Sequence, residues 1–137
     1  VADLKRRRLH RVTFIAAGIY NLAWGIGSAL YPQWLFHWAR MEPARYPEIF
    51  ACLGMIVALY GILYLDVARR PERGWLIAAV GLTGKVLGPL GWLYLIVQRE
   101  WPVDTILLVA TNDFIWWPPF ALYLFDAYEN FHEDVKP

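Results

Sequence analysis

The sequence predicts an all-helical integral membrane protein: a bundle of four transmembrane helices with both termini cytoplasmic and a short interfacial helix in the first outer loop. Three observations predict it. The 137-residue chain is 58% hydrophobic and only 18% charged, far from an ordinary soluble composition. Eight Trp and eight Tyr supply the amphipathic rings that collect where hydrocarbon meets headgroups. Four apolar segments each offer the roughly 20 residues that a spanning helix needs.

The spans are expected at about 12–31, 48–67, 75–97 and 105–125. Their separators carry membrane-surface punctuation: Pro32, Pro43 and Pro47 in the first, Arg69 to Gly74 in the second, Arg99 to Pro102 in the third. No interior linker is long enough to divide the chain, so residues 1–137 form a single membrane domain.

The net charge of +1 says little about partners, but the placement of the cations says more. Lys5, Arg6, Arg7, Arg8, Arg11, Arg69, Arg70, Arg73 and Lys136 fall on one side, nine in all, against Arg40, Arg45 and Arg99 on the other. A cytoplasmic excess of cations sets orientation, which places both termini inside. Five cations against a spanning helix are a topology signal that also meets anionic lipid, so membrane lipids and not nucleic acid are the expected partner. The same arm before an apolar run has the layout of a signal peptide, with Gly27, Ser28 and Ala29 as a small-residue cleavage site. The run is long enough to span, and it is read as an anchor.

In the first loop, Trp34, Leu35 and Trp38 share one side of a short helix, expected to lie in the outer interface with its rings among the headgroups. His37 within it reads as a solvated polar residue. The lone Cys52 has no partner for a disulfide or a cysteine metal site and reads as a small buried apolar residue. Asp126, Glu129, Glu133 and Asp134 read as a solvated helix end.

Small residues at helical spacing mark where helices approach, because packing and hydrogen bonds replace the hydrophobic drive inside lipid. Gly18, Asn21, Gly25 and Ser28 share a face of the first span, and Gly54, Ala58 and Gly61 recur in the second. The third, with Gly81, Gly84, Gly88 and Gly91, is expected to be the central helix. In the fourth, Pro118 and Pro119 predict a kink that frees the carbonyls of Phe114 and Ile115, for which Trp116 and Trp117 offer indole donors.

Only Lys85 and Asp113 are charged residues deep inside the spans. At 1.5 Å per residue, Lys85 lies about 15 Å from one end of its helix and Asp113 roughly 12 Å from the other end of an antiparallel neighbour. Asn21 falls in the same layer. A charge at the bilayer centre costs about 2.5–3.5 kcal/mol on insertion scales, so Asp113 is expected to meet Lys85, with Asn21 and Asn112 completing the hydrogen bonds. Two readings fit these four residues: a clasp that fixes helix neighbours, and a midplane ligand-binding or proton-handling site. Tyr20, Trp24, Tyr60, Trp92, Trp116 and Trp117 are the candidate pocket wall, although aromatic residues also serve as filler in a small bundle.

Other chemistries find little support. His10, His37 and His132 lie outside the deep spans, against a midplane haem or histidine-ligated metal. No phosphate loop or nucleophile elbow is present. No metal and no cofactor is predicted, although a quinone or a lipid fits the apolar setting, and no catalytic residue is assigned.

The stretches AGIYNLAWG, PEIFACLGMIVALYGILYL, GLTGKVLGPLGW and TNDFIWWPPFALYL together resemble a group of small bacterial four-helix membrane proteins, DoxX-like in layout. The resemblance covers about residues 12–125, and its most specific element is Asn112, Asp113, Trp116 or Trp117, and Pro119-Phe120. It implies a multi-pass protein of the bacterial inner membrane and, since some relatives are small subunits of quinone-linked oxidoreductases, contact with larger membrane-complex subunits or self-association. It carries no list of catalytic residues. The tryptophan-rich sensory protein family is similar in composition alone, since it has five spans. The expected role is a non-catalytic accessory subunit or a binder of a hydrophobic small molecule. The alternative is an intramembrane enzyme acting on lipid or quinone, with Asp113 or Lys85 as acid or base.

Overall fold

The computed structural model describes residues 3–137, and among these the chain is helical without a strand. In order come α1 (Arg7–Leu30), α2 (Trp34–Trp38), α3 (Pro47–Arg69), a 3-10 turn (Pro71–Arg73), α4 (Trp75–Val97), a second 3-10 turn (Val103–Thr105), α5 (Ile106–Asn112), a third (Phe114–Trp116) and α6 (Trp117–Val135). Three helices, α1, α3 and α4, are long and apolar enough to cross a membrane, with mean hydropathies of 1.3, 2.0 and 1.5. At 1.5 Å per residue each extends about 35 Å, enough for a hydrocarbon core of about 30 Å.

The fourth apolar segment is not one helix. It breaks at Asp113 (φ −125°, ψ −64°), which ends α5 after seven residues, and resumes through the Phe114–Trp116 turn into α6. Proline supplies no amide hydrogen and crowds the preceding turn, so Pro118 and Pro119 are accommodated only where a helix begins. The chain places both in the first turn of α6, and the expected kink becomes a break. Beyond it, α6 runs past the expected end of the span to Val135.

The tightest packing joins α1 to α3. An added Cβ at Gly25 would lie 2.4 Å from the Gly54 carbonyl oxygen, and one at Gly54 would lie 2.7 Å from that of Gly25. Gly18 and Gly61 repeat the arrangement two turns away, at 2.9 and 2.7 Å from each other's carbonyl oxygens. These antiparallel backbones touch at two matched points, and only glycine fits there.

The expectation that α4 is central is overturned. Cβ atoms at Gly84 and Gly91 would meet nothing within 4 Å, Gly88 is met by a side chain, that of Asp113, and Gly81 is closely approached by the Tyr64 hydroxyl of α3. Glycine permits a close approach but supplies no attraction, and the faces of α1 and α3 already satisfy each other. The helices instead converge on an aromatic core in which Phe14 of α1 lies 4.7 Å from Phe120 and 4.8 Å from Tyr123 of α6 between ring centroids. Tyr64 of α3 closes it, 5.3 Å from Phe120.

Both chain ends are tied at one end of this bundle. Arg6, in the left-handed region at φ 53°, donates to both oxygens of Asp126, at 2.9 and 2.5 Å. His10 donates through Nε2 to the same carboxylate at 2.7 Å. Arg7 pairs with Glu72, and Arg11 donates to the Ala68 carbonyl. Asp126 is thus no part of a solvated helix end: its side chain is fully buried. Burial pushes its pKa up, yet the hydrogen bonds from Arg6 and His10 outweigh that and hold the carboxyl below the usual range. Glu72 follows the same balance, with Arg7 overcoming its burial.

At the opposite end, α2 folds its Leu35 inward while Trp38 stays exposed. Trp34 turns back to donate its indole N–H to the Ser28 hydroxyl at 2.8 Å. His37 pairs with the Tyr31 hydroxyl. Cys52, expected inside, lies exposed on α3, because the buried face of that helix is the one bearing Gly54 and Gly61.

Candidate functional site

A cavity of about 490 Å³ lies between α3 and α4 and is closed on its inner side by α1 and the α5 break. Its size is within the range of small-molecule sites, about 300–1,000 Å³. It brings together all four members of the expected polar cluster, Asn21, Lys85, Asn112 and Asp113. Of the expected aromatic wall, Tyr20, Trp24 and Tyr60 are on the lining and Trp92, Trp116 and Trp117 are not.

The break in the fourth segment creates the polar character. Within a continuous helix the Asn112 carbonyl would accept from the Trp116 amide, but that amide bonds to the Asp113 carbonyl at 3.1 Å. The ammonium of Lys85, one helix away, takes its place and donates to the Asn112 carbonyl at 2.7 Å. The Thr111 carbonyl, freed by the same break, receives the Trp116 indole at 2.9 Å. The break adds the Thr111 and Asn112 carbonyls to those needing donors, while the Phe114 carbonyl, expected to lack one, receives the Trp117 amide.

Lys85 and Asp113 interact electrostatically, as expected, but do not close into a direct contact. No salt bridge joins them among the described residues, since equal depth in two helices does not fix lateral distance and the ammonium bonds to the Asn112 carbonyl instead. Lys85 is 8% exposed and sits 5.7–6.0 Å from the ring centroids of Trp116, Phe120 and Tyr64, within reach of cation–π attraction. Asp113 rests instead against α4 one turn on: a Cβ at Gly88 would lie 3.3 Å from its Oδ2.

The site holds polar groups that the fold leaves unsatisfied. Asn21, only 7% exposed, makes no side-chain hydrogen bond among the described residues, and neither does Asp113. The buried indole N–H of Trp24 is likewise without a partner. Tyr20 donates to the Asn112 side-chain oxygen, which leaves the Asn112 amide hydrogens free to donate. Buried polar groups in native proteins are almost always bonded; here the enclosed Trp24 indole N–H has no partner, while the Asn21 amide and the half-buried Asp113 carboxylate face the cavity.

Sequence reasoning missed Tyr64 and Thr83 on the lining, and it also missed the role of Pro89. That proline, inside α4, deprives the Lys85 carbonyl of its helical donor, and the Trp117 indole supplies one at 2.9 Å. The signal was available, since a proline four residues after a buried lysine predicts an orphaned carbonyl. Trp92 has a similar bracing task, donating to the Thr105 hydroxyl at 2.7 Å. Among the described residues no group of His, Cys, Asp and Glu is placed to hold a metal ion.

No protein-family model, curated protein or solved structure matches the chain.

Proposed function

We propose that this protein resides in the bacterial inner membrane and binds a hydrophobic small molecule in the cavity between α3 and α4, using Asn21, Lys85 and Asp113 to hold its polar part. The fourth crossing is then completed by α5, the Phe114–Trp116 turn and α6, in keeping with the DoxX-like resemblance. One observation carries the reading: the Asn21 amide and the Asp113 carboxylate line a 490 Å³ apolar cavity without a side-chain hydrogen bond to another described residue. Leaving a buried polar group unbonded costs about 1–3 kcal/mol, and a ligand that bonds both groups removes that cost. Interrupted helices tolerate irregular backbone at membrane depth where it lines a cavity, which fits the Asp113 break.

The accessory-subunit role draws support from the exposed apolar faces of α3 and α4, but lipid covers such faces equally well. An enzymatic role needs a reacting group near Asp113 or Lys85, and it remains the alternative for the same cavity. Native mass spectrometry of protein extracted gently from its own membrane tests the proposal. A defined small molecule on the wild-type chain, absent from Asp113→Asn, supports it; release bound only to larger subunits, with no small mass, overturns it in favour of the accessory role.

A further inference from the structure

The cavity wall is uneven. On the inner side stand Tyr20, Asn21, Asn112 and Asp113; on the outer side, Leu53 and Ile56 of α3 face Val80 and Leu87 of α4. Those four outer residues are 47–60% exposed, so they border the cavity and the exterior at once. The gap has a closed end, where an added Cβ at Gly81 would lie 2.3 Å from the Tyr64 hydroxyl, and it widens from there along both helices. α3 and α4 are the two most apolar of the spanning-length helices, so the exterior at this mouth is the hydrocarbon of a bilayer.

The polar wall constrains the guest further. Lys85 uses one of its three ammonium hydrogens on Asn112, and the Asn112 side-chain amide is free to donate. Asp113 offers only acceptors. One cation and one anion leave the pocket formally neutral, so an anionic head would face Asp113 and a cationic head would face Lys85, at a depth where unpaired charge is costly.

Resting on the proposed ligand-binding role, we infer that the cavity loads sideways from the bilayer between α3 and α4, and that it selects an uncharged single-chain amphiphile. The head carries an oxygen acceptor for Lys85 and a hydroxyl donor for Asp113. Its chain lies in the slot between Leu53, Ile56, Val80 and Leu87, which is the width of one gap between two helices. Gly84, on the lining with open space at its Cβ position, keeps that slot clear.

The test uses the full chain in nanodiscs and a monoacylglycerol with a photoreactive acyl chain, competed by 1-oleoylglycerol, oleate or oleylamine. Labelling is expected on the α3 and α4 segments around Ile56 and Gly84, with 1-oleoylglycerol competing roughly tenfold better than either charged analogue, the ratio expected from one charge-assisted hydrogen bond. Gly84→Phe is expected to abolish that labelling at an unchanged melting temperature, and Asp113→Asn to weaken it while leaving residual labelling. Equal or better competition by oleate, or full labelling of a folded Gly84→Phe protein, overturns the inference. If a co-purifying small mass is seen but the uncharged probe does not compete for it, the inference falls and the ligand-binding role stands. If neither a native mass nor any probe is bound, both fall.

Discussion

The indole N–H of Trp117 donates to the backbone carbonyl of Lys85 at 2.9 Å, the carbonyl that Pro89 leaves without a helical donor. Prolines on neighbouring segments thus create complementary needs. Pro118 and Pro119 make α6 begin at Trp117, which puts that indole beside α4 where Pro89 has opened a gap.

Trp117→Phe is expected to cost about 1–2 kcal/mol of stability, between the penalty for an orphaned buried carbonyl and the weaker values found for hydrogen bonds between membrane helices. In a Pro89→Ala background the helix regains its own donor, and the same substitution then costs markedly less. A double-mutant cycle by denaturant unfolding in micelles measures the difference; additive effects rule out the coupling.

Gly25→Ala drives a methyl into the Gly54 carbonyl and is expected to destabilise by about 1–3 kcal/mol, the usual range for overpacking. Gly27→Ala, two residues on and facing open space, is expected to be neutral or stabilising by up to about 1 kcal/mol through helix propensity. Paired melting curves read both.

Asn21→Leu separates stability from binding. A buried amide without a partner costs the fold something, so its replacement is expected to stabilise the empty protein by about 1 kcal/mol while reducing ligand retention. Loss of stability together with binding would mean that Asn21 serves the fold.

Acid is expected to loosen the end that holds both termini. The Asp126 carboxyl is depressed in the folded protein, because Arg6 and His10 outweigh its burial. Its contribution is therefore complete above the unfolded value near about 4 and is lost as pH falls through the lower folded value. Glu72, depressed by Arg7, acts in the same direction. Melting temperature recorded from neutral pH down to about 3 should fall on the acid side, and Asp126→Asn should flatten that limb.

Cys52 reports on the surroundings of α3. It is exposed five residues into an apolar helix that begins at Pro47. In proteoliposomes a lipid-soluble maleimide is expected to modify it readily and a charged one slowly until detergent is added. Equal reactivity toward both would place that face in water.

The matched glycines of α1 and α3 were legible because helical spacing alone puts Gly18 and Gly25, or Gly54 and Gly61, on one face. The polar layer was legible for the same reason: rise per residue gives depth. Lateral relations were not. Lys85 and Asp113 share a depth, but the Asn112 carbonyl, freed by a break whose position depends on tertiary context, captures the ammonium. The glycines of α4 misled because their number does not say which face meets a neighbour, and the burial of Asp126 depends on an arm 120 residues away.

The double glycine contact between α1 and α3 also bears on the order in which the molecule comes into being. Everything that contact needs has been synthesised by Arg69, before α4 exists, so the first two long helices can join as a finished hairpin. The broken fourth segment has no such independence: its freed carbonyl waits for Lys85, just as the Lys85 carbonyl waits for Trp117. The second half of the chain must therefore be assembled as a unit against a surface already made, and the space left between the halves is where the cavity lies.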